Sequence, residues 1–300
     1  MQGKLSLFML SVLFLFTGSG CANESIESSE ITEIKIAQTI DESNPNSGIV
    51  FEAFRVGLEN HLGIPVVGVE DVSHLVGIEA MRAGNLDLMW GSPFVYLLAS
   101  RATDVERVVV TSNPNAINKT VFITRSDRDD IQSIEDLEGN SFAFISSSST
   151  SGFLYPMYHL MLGLDRDRDA LLHSGSFFST VTNSGSQDAS IMGVLHGDFD
   201  AAAVGFLNYQ SLLASGLFEE EELKIFDDTE RIPLPGYIAR SSLPREVIDE
   251  IRTFMLTFED EVYFEERFND GNTRFVEPVE EDITHLMSML EALGMELEEF

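Results

Sequence analysis

Between Glu33 and Phe94 the chain alternates two hydrophobic periods, and this alternation restricts the fold more than any other feature. "EIKIAQTI" (33–40) and "IPVVGVE" (64–70) are short runs rich in β-branched residues, the pattern of strands. "IVFEAFRVGLENHLG" (49–63) and "SHLVGIEAMRAG" (73–84) space apolar residues at helical intervals and end on glycine. "LDLMWGSP" (86–93) reads as a third strand leading into a helix from Phe94. A β-α-β-α-β-α order predicts an α/β layer on a largely parallel sheet.

The unit then restarts. After "VERVVVTSN" comes a crossing strand, "KTVFITRSD" (119–127), then "SIEDLEG" as a short helix and "SFAFI" as a strand. A helix is expected over 152–163, a strand at "HSGSFFS" (173–179), a helix at "SQDASIMGVLHG", a strand at "FDAAAVG" and a helix at "FLNYQSLLASG". "LKIFDDTERIPLPGYIARSSLP" supplies strands and a return connection, and amphipathic helices follow at about 244–264 and 280–294. This order implies two lobes, residues 31–118 plus 230–300 and residues 119–229, with a ligand cleft between them.

The start of the chain follows different rules. Lys4 and the run "LSLFMLSVLFLF" are too short for an ordinary membrane span and lead into "TGSG", so residues 1–20 are expected to be an export signal. Cys21, the only cysteine, comes next and resembles the lipidated residue of a bacterial lipoprotein, although Gly18 stands where an aliphatic residue is usual. Residues 21–30 would be a flexible tether to the membrane. With no other cysteine, the exported body has no disulfide framework. Acids outnumber bases 50 to 18, which argues against nucleic acid or an anionic membrane surface as main partner. The same excess suits a heavily solvated, salt-adapted surface.

The stretch "SSSSTSGFLYP" (146–156) gathers six successive hydroxyl residues between a strand and a helix. A helix N-terminus presents free N–H groups and binds anions without a basic side chain. Ser149, Thr150 and Ser151 would add hydroxyl donors, and Gly152 would let the backbone come close. Helix capping alone needs one such residue. The nearest basic residues along the chain, Arg128 and Arg166, are distant, so the donors would be neutral.

"SFAFISSSSTSGFLYPMYHLM", "GSQDASIMGVLHGDFDAAAV" and "EAMRAGNLDLMWGSPFVYLLA" together resemble the phosphonate/phosphite/phosphate class of periplasmic solute-binding proteins of ABC importers, over roughly residues 33–250. The resemblance implies a two-lobed type II binding-protein fold closing on its ligand by hinge motion, an ABC permease and ATPase as partners, and a monomer outside the cytoplasmic membrane. It implies that Ser149, Thr150 and Ser151 grip the ligand oxygens and that Tyr96 offers its phenol. Gln187 stands where the family has histidine, and could still donate an N–H. His74 stands where a tyrosine is common, and is either a ligand donor or simply a helix N-terminal residue. Asp188 is expected to cap the following helix. After "DAAAV" comes "GFLNY", without the acid that would pair with a ligand amine, which points away from aminoalkyl phosphonates.

Two alternatives share this fold: a binding protein for an unrelated small solute, and a ligand-sensing subunit of a membrane signalling system. An enzyme is disfavoured, because the chain has no G-x-S-x-G and no free cysteine in its body. No cofactor is implied, His61, His159, His173, His196 and His285 show no metal spacing, and Trp90 is expected in the core. On the sequence alone, Ser149→Ala and Thr150→Ala should weaken binding without altering the melting temperature.

Overall fold

A computed structural model describes residues 31–38, 46–70, 73–113, 117–268 and 270–295. The expected export signal, Cys21 and the tether lie outside the described residues. The order opens β1 (Ile34–Gln38), α1 (Ser47–Leu62), β2 (Val66–Glu70), α2 (His74–Arg82), β3 (Leu88–Gly91), α3 (Pro93–Ala102) and β4 (Val105–Ser112). Next come β5 (Lys119–Arg125), β6 (Ser141–Phe144), α4 (Tyr155–Leu164), α5 (Arg168–Leu172), β7 (Thr180–Asn183), α6 (Gln187–His196), β8 (Ala201–Gly205), α7 (Phe206–Ala214) and β9 (Leu223–Arg231). It closes with β10 (Gly236–Arg240), α8 (Arg245–Leu256), α9 (Glu261–Phe268), β11 (Arg274–Val276) and α10 (Glu280–Ala292).

The strands form two sheets, ordered β11-β4-β10-β3-β1-β2 and β7-β6-β8-β5-β9. Helical crossovers make β1 parallel to β2 and β3, and β6 parallel to β7 and β8. The rest of each sheet is antiparallel: β10 runs against β3 and β4, and β5 runs against β8 and β9. The sheets are therefore mixed rather than largely parallel. The strands that flank the passages between the sheets, β4, β5, β9 and β10, are the ones that make these antiparallel pairings.

Three expected elements differ. Residues 173–179 form turns, not a strand: Gly175 takes φ +84° and Gly175 N–H donates to Phe178 O at 2.8 Å. Strand pairing begins one residue later, where Thr180 faces Ser141. The helix expected from 152 opens as a π-turn over Thr150–Leu154 before α4. The helix expected over 244–264 is two, α8 and α9, separated at 257–260.

Alternation along β1 buries Ile34 and Ile36 completely, while α1 lays Phe54 and Leu58 on the same core. Phe54 stacks on Tyr237 at 5.6 Å and on Tyr263 at 5.0 Å. Trp90, expected in the core, is half-buried at its edge, packing edge-on against Tyr237 at 5.2 Å. A second apolar cluster is continuous across both sheets: Phe94 and Leu98 of α3, Phe122, Phe142 and Phe144, and Leu286 and Met289 of α10 all belong to it. Among the described residues no helix is long and apolar enough to cross a membrane.

Candidate functional site

The serine run owes its shape to one glycine and one cap. Ser149 has extended dihedrals and its Oγ accepts from Gly152 N–H at 3.0 Å, while Leu154 N–H reaches back to Ser149 O at 3.0 Å. Gly152 O accepts from Ile145 N–H at 3.0 Å, folding the turn onto the end of the preceding strand. A Cβ at Gly152 would lie 2.5 Å from Ile145 Cδ1 and Cγ1, so only glycine permits this approach.

Bonds from this turn join it to three further helix starts. Thr150, 3% exposed, accepts from Phe94 N–H at 3.2 Å and donates to Ser92 Oγ at 2.8 Å. Ser92 caps α3, and Pro93 occupies its first turn. Ser151 Oγ accepts from Gln187 Nε2 at 3.1 Å, at the start of α6. Gln187 Oε1 accepts from Gly205 N–H at 2.9 Å, where α7 begins. Thr120 Oγ1 donates to Ser151 O at 2.6 Å and ties the turn to β5. The N-termini of α3, α6 and α7 thus meet the 150–154 turn, and no basic side chain takes part in the bonds that join them. Helix N-termini carry about half a positive charge each, so the cluster favours an anion.

The structure brings Ser149, Thr150, Ser151, Gly152 and Gln187 together and adds partners that the sequence reading missed: Ser92, the Phe94 amide, Thr120 and the Gly205 amide. The Ser-Pro pair ahead of an apolar helix was the available signal for Ser92. Asp188 is not the cap of α6. Ser186 accepts from Ala189 N–H at 3.1 Å in that role, and Asp188 sits in the first turn, where its charge suits the dipole.

Among the described residues neither the Tyr96 phenol nor the His74 imidazole is hydrogen-bonded to this cluster; the Tyr96 amide alone reaches it, donating to Ser92 O at 3.0 Å. Tyr96 lines a crevice with Ser92, Arg107, Leu234 and Gly236, and the Arg107 guanidinium lies 6.0 Å from its ring centre. Burial and then the neighbouring Glu280 push the Tyr96 phenol above its ordinary range, so it stays a donor. Arg107 itself is held by Val279 O at 2.9 Å and Asp282 at 3.4 Å. His74 opens α2 behind Ser73, whose Oγ accepts from Val76 N–H. Burial holds the His74 imidazole below its usual 6.5, so it is neutral at pH 7. The unfolded chain then takes up this proton first as pH falls, and stability drops below about pH 6.5. A denaturant midpoint followed downward from pH 8 should decline less steeply in His74→Gln than in the wild type.

The family described as "ABC transporter, phosphonate, periplasmic substrate-binding protein" matches residues 42–283. The chain is 27% identical to the phosphate-import protein PhnD of Mycolicibacterium smegmatis over 226 residues, 72% of this chain and 68% of that protein. It is 25% identical to the probable phosphite-binding protein PhnD1 of Prochlorococcus marinus, over 59% of each. The structure of Prochlorococcus PhnD1 in complex with methylphosphonate superposes with a TM-score of 0.73 at 20% identity, covering 88% of this chain and 98% of that one. The binding component of an ABC phosphonate transporter from Pseudomonas aeruginosa superposes at 0.69 and 17% identity, covering 89% and 97%. With two mixed α/β sheets of the type II binding-protein kind and a match over most of its length, this chain belongs to the periplasmic phosphonate-binding family of ABC-importer substrate-binding proteins.

Proposed function

We propose that the protein captures a phosphorus oxyanion at the turn 149–152 and hands it to an ABC permease unchanged, acting as a monomer outside the cytoplasmic membrane. The observation that carries this reading is the bonding of three other helix starts to one serine turn through neutral groups only. Neutral donors and dipoles act strongly once water is excluded, which lets a chain of formal charge −32 hold an anion. Residues 31–118 with 230–300, and residues 119–229, would be the lobes that close on it. Cys21 would carry the lipid, and Cys21→Ser should release the protein from membranes.

Isothermal titration with phosphite, methylphosphonate, 2-aminoethylphosphonate, phosphate and sulfate tests the reading. Micromolar or tighter binding of a phosphorus compound is expected, with 2-aminoethylphosphonate weak because no acid follows "DAAAV". Silence across the panel from folded protein would overturn it.

Thr150→Val keeps the volume but removes the hydroxyl that accepts from the buried Phe94 amide. A loss of about 1–3 kcal/mol in stability is expected, together with roughly tenfold or more in affinity. The unchanged melting temperature expected from sequence therefore does not hold for Thr150, because its hydroxyl is shared between two elements of the fold. Denaturation and titration of the same variant check both effects.

A further inference from the structure

Gly205 ends β8 and caps α7, with extended dihedrals of −67° and 130° that any residue can adopt. A Cβ built on it would lie 3.0 Å from Asn208 Oδ1, 3.1 Å from Ser151 Oγ and 3.5 Å from Gln187 Nε2. Apart from its neighbours along the chain, these three polar atoms are the nearest to that position. Tips from α6, α7 and the serine turn therefore converge over a backbone that carries no side chain. Asn208 is exposed and Ser151 and Gln187 are half-buried, so Asn208 stands at the rim of this opening.

The bonds already made leave all three groups with something to give. Ser151 Oγ accepts from Gln187 Nε2, which leaves the Ser151 proton and one Gln187 N–H unassigned. Among the described residues no hydrogen bond holds the Asn208 carboxamide. Asn208 is the third residue of α7, a position from which a polar side chain reaches back to the N-cap amide. That amide is taken, because Gly205 N–H donates to Gln187 Oε1 at 2.9 Å. The helix makes no use of Asn208.

We propose that Asn208 is a ligand-binding residue, and that it meets the same ligand oxygen as Ser151 and Gln187 over the bare backbone of Gly205. The inference rests on the oxyanion reading above. The Ser151 O–H, the free Gln187 N–H and the Asn208 NH2 group all donate to a bare oxygen there. Turned end for end, the Asn208 carboxamide presents its own oxygen and accepts from a protonated one. The contact thus selects for an oxygen atom at that place and not for one protonation state of it. A methyl group or a P–H hydrogen there would leave three polar groups unpaired. A phosphonate or phosphite must therefore seat with its apolar substituent directed elsewhere, whereas phosphate satisfies this contact in any orientation.

Titration calorimetry of the purified protein with phosphate, phosphite and methylphosphonate tests this. Asn208→Leu is similar in size and lies on an exposed position, so the melting temperature should hold while affinity for each probe that binds falls about tenfold. Gly205→Ala puts a methyl group under the ligand oxygen, at dihedrals that alanine accepts, and should also cost about tenfold or more. With the oxygen already displaced in Gly205→Ala, adding Asn208→Leu should cost less than about threefold further. Affinity of Asn208→Leu within about twofold of wild type would overturn the inference. An equal cost of Asn208→Leu in both backgrounds, or a melting temperature that falls together with affinity, would do so as well, since either marks an effect of the helix and not of a ligand contact. All three results leave the oxyanion reading standing. Absence of binding of all three probes by folded wild-type protein would overturn the oxyanion reading itself, and this inference with it.

Discussion

Gly236→Ala should cost about 3 kcal/mol or more of unfolding free energy, toward the upper end of what overpacking does. Gly236 opens β10, the strand that enters between β3 and β4, and it pairs with Gly91 on one side and Val110 on the other. A Cβ there would sit 1.9 Å from Val109 O and 2.7 Å from Val110 Cα. Both are backbone atoms, so no rotamer change relieves the clash and β10 must move away from β4. The ladder already shifts register between Tyr237 and Ile238, so the extra displacement falls where pairing is least regular. Denaturant titration of wild type and variant measures the effect, with an unchanged slope marking a loss of stability rather than of compactness. A difference under about 1 kcal/mol would mean that β10 is freer than this packing implies. Gly236 also ends the "IPLP" connection between the sheets, so the variant should change ligand affinity as well, unlike a core substitution remote from the crevice.

Asp87→Ala is expected to destabilise by about 3–5 kcal/mol, the range for removing one partner of a buried ion pair. Asp87, just ahead of β3, is 5% exposed and its carboxylate serves two further strands, β1 and β10. Oδ1 accepts from Arg240 Nε at 3.2 Å and Nη2 at 2.5 Å, and Oδ2 accepts from Lys35 N–H at 2.8 Å. Truncation strands the guanidinium and orphans the amide together. Asp87→Asn, which retains an acceptor, should cost less. Asp87→Ala combined with Arg240→Met should recover much of the loss, because the uncompensated charge is gone. The pair lies at the opposite end of β3 from Ser92, so ligand affinity should be unchanged at temperatures where the variant is folded. Equal stability of wild type and Asp87→Ala in denaturant would contradict this account.

Legibility of the site followed the range of the interactions involved. The serine turn could be read because its parts are contiguous: a strand end, six hydroxyls and a glycine. Ser92 could not be read as a partner of Thr150, 58 positions away, because nothing in local periodicity pairs one helix cap with another. Gln187 was read as a ligand donor because of its place in the family motif. In the fold its amide spans Ser151 and Gly205, so it orients a hydroxyl, while its one free N–H is what remains for a ligand. Asp188 was misread because acids suit both the cap and the first turn, and only the dihedrals of Ser186 distinguish the two.

Local chemistry thus determined the α/β class, the β-α alternation in each half, the glycine-terminated helices and the place of the serine turn. These follow from side-chain period and from backbone freedom within a few residues. The tertiary structure decided the mixed sheets, the turn in place of a strand at 173–179 and the break between α8 and α9. It also decided which hydroxyls have protons left to give. Strand direction depends on where the chain returns, and a hydroxyl's remaining valence depends on partners far away in sequence. Neither is written in any window short enough to carry a period.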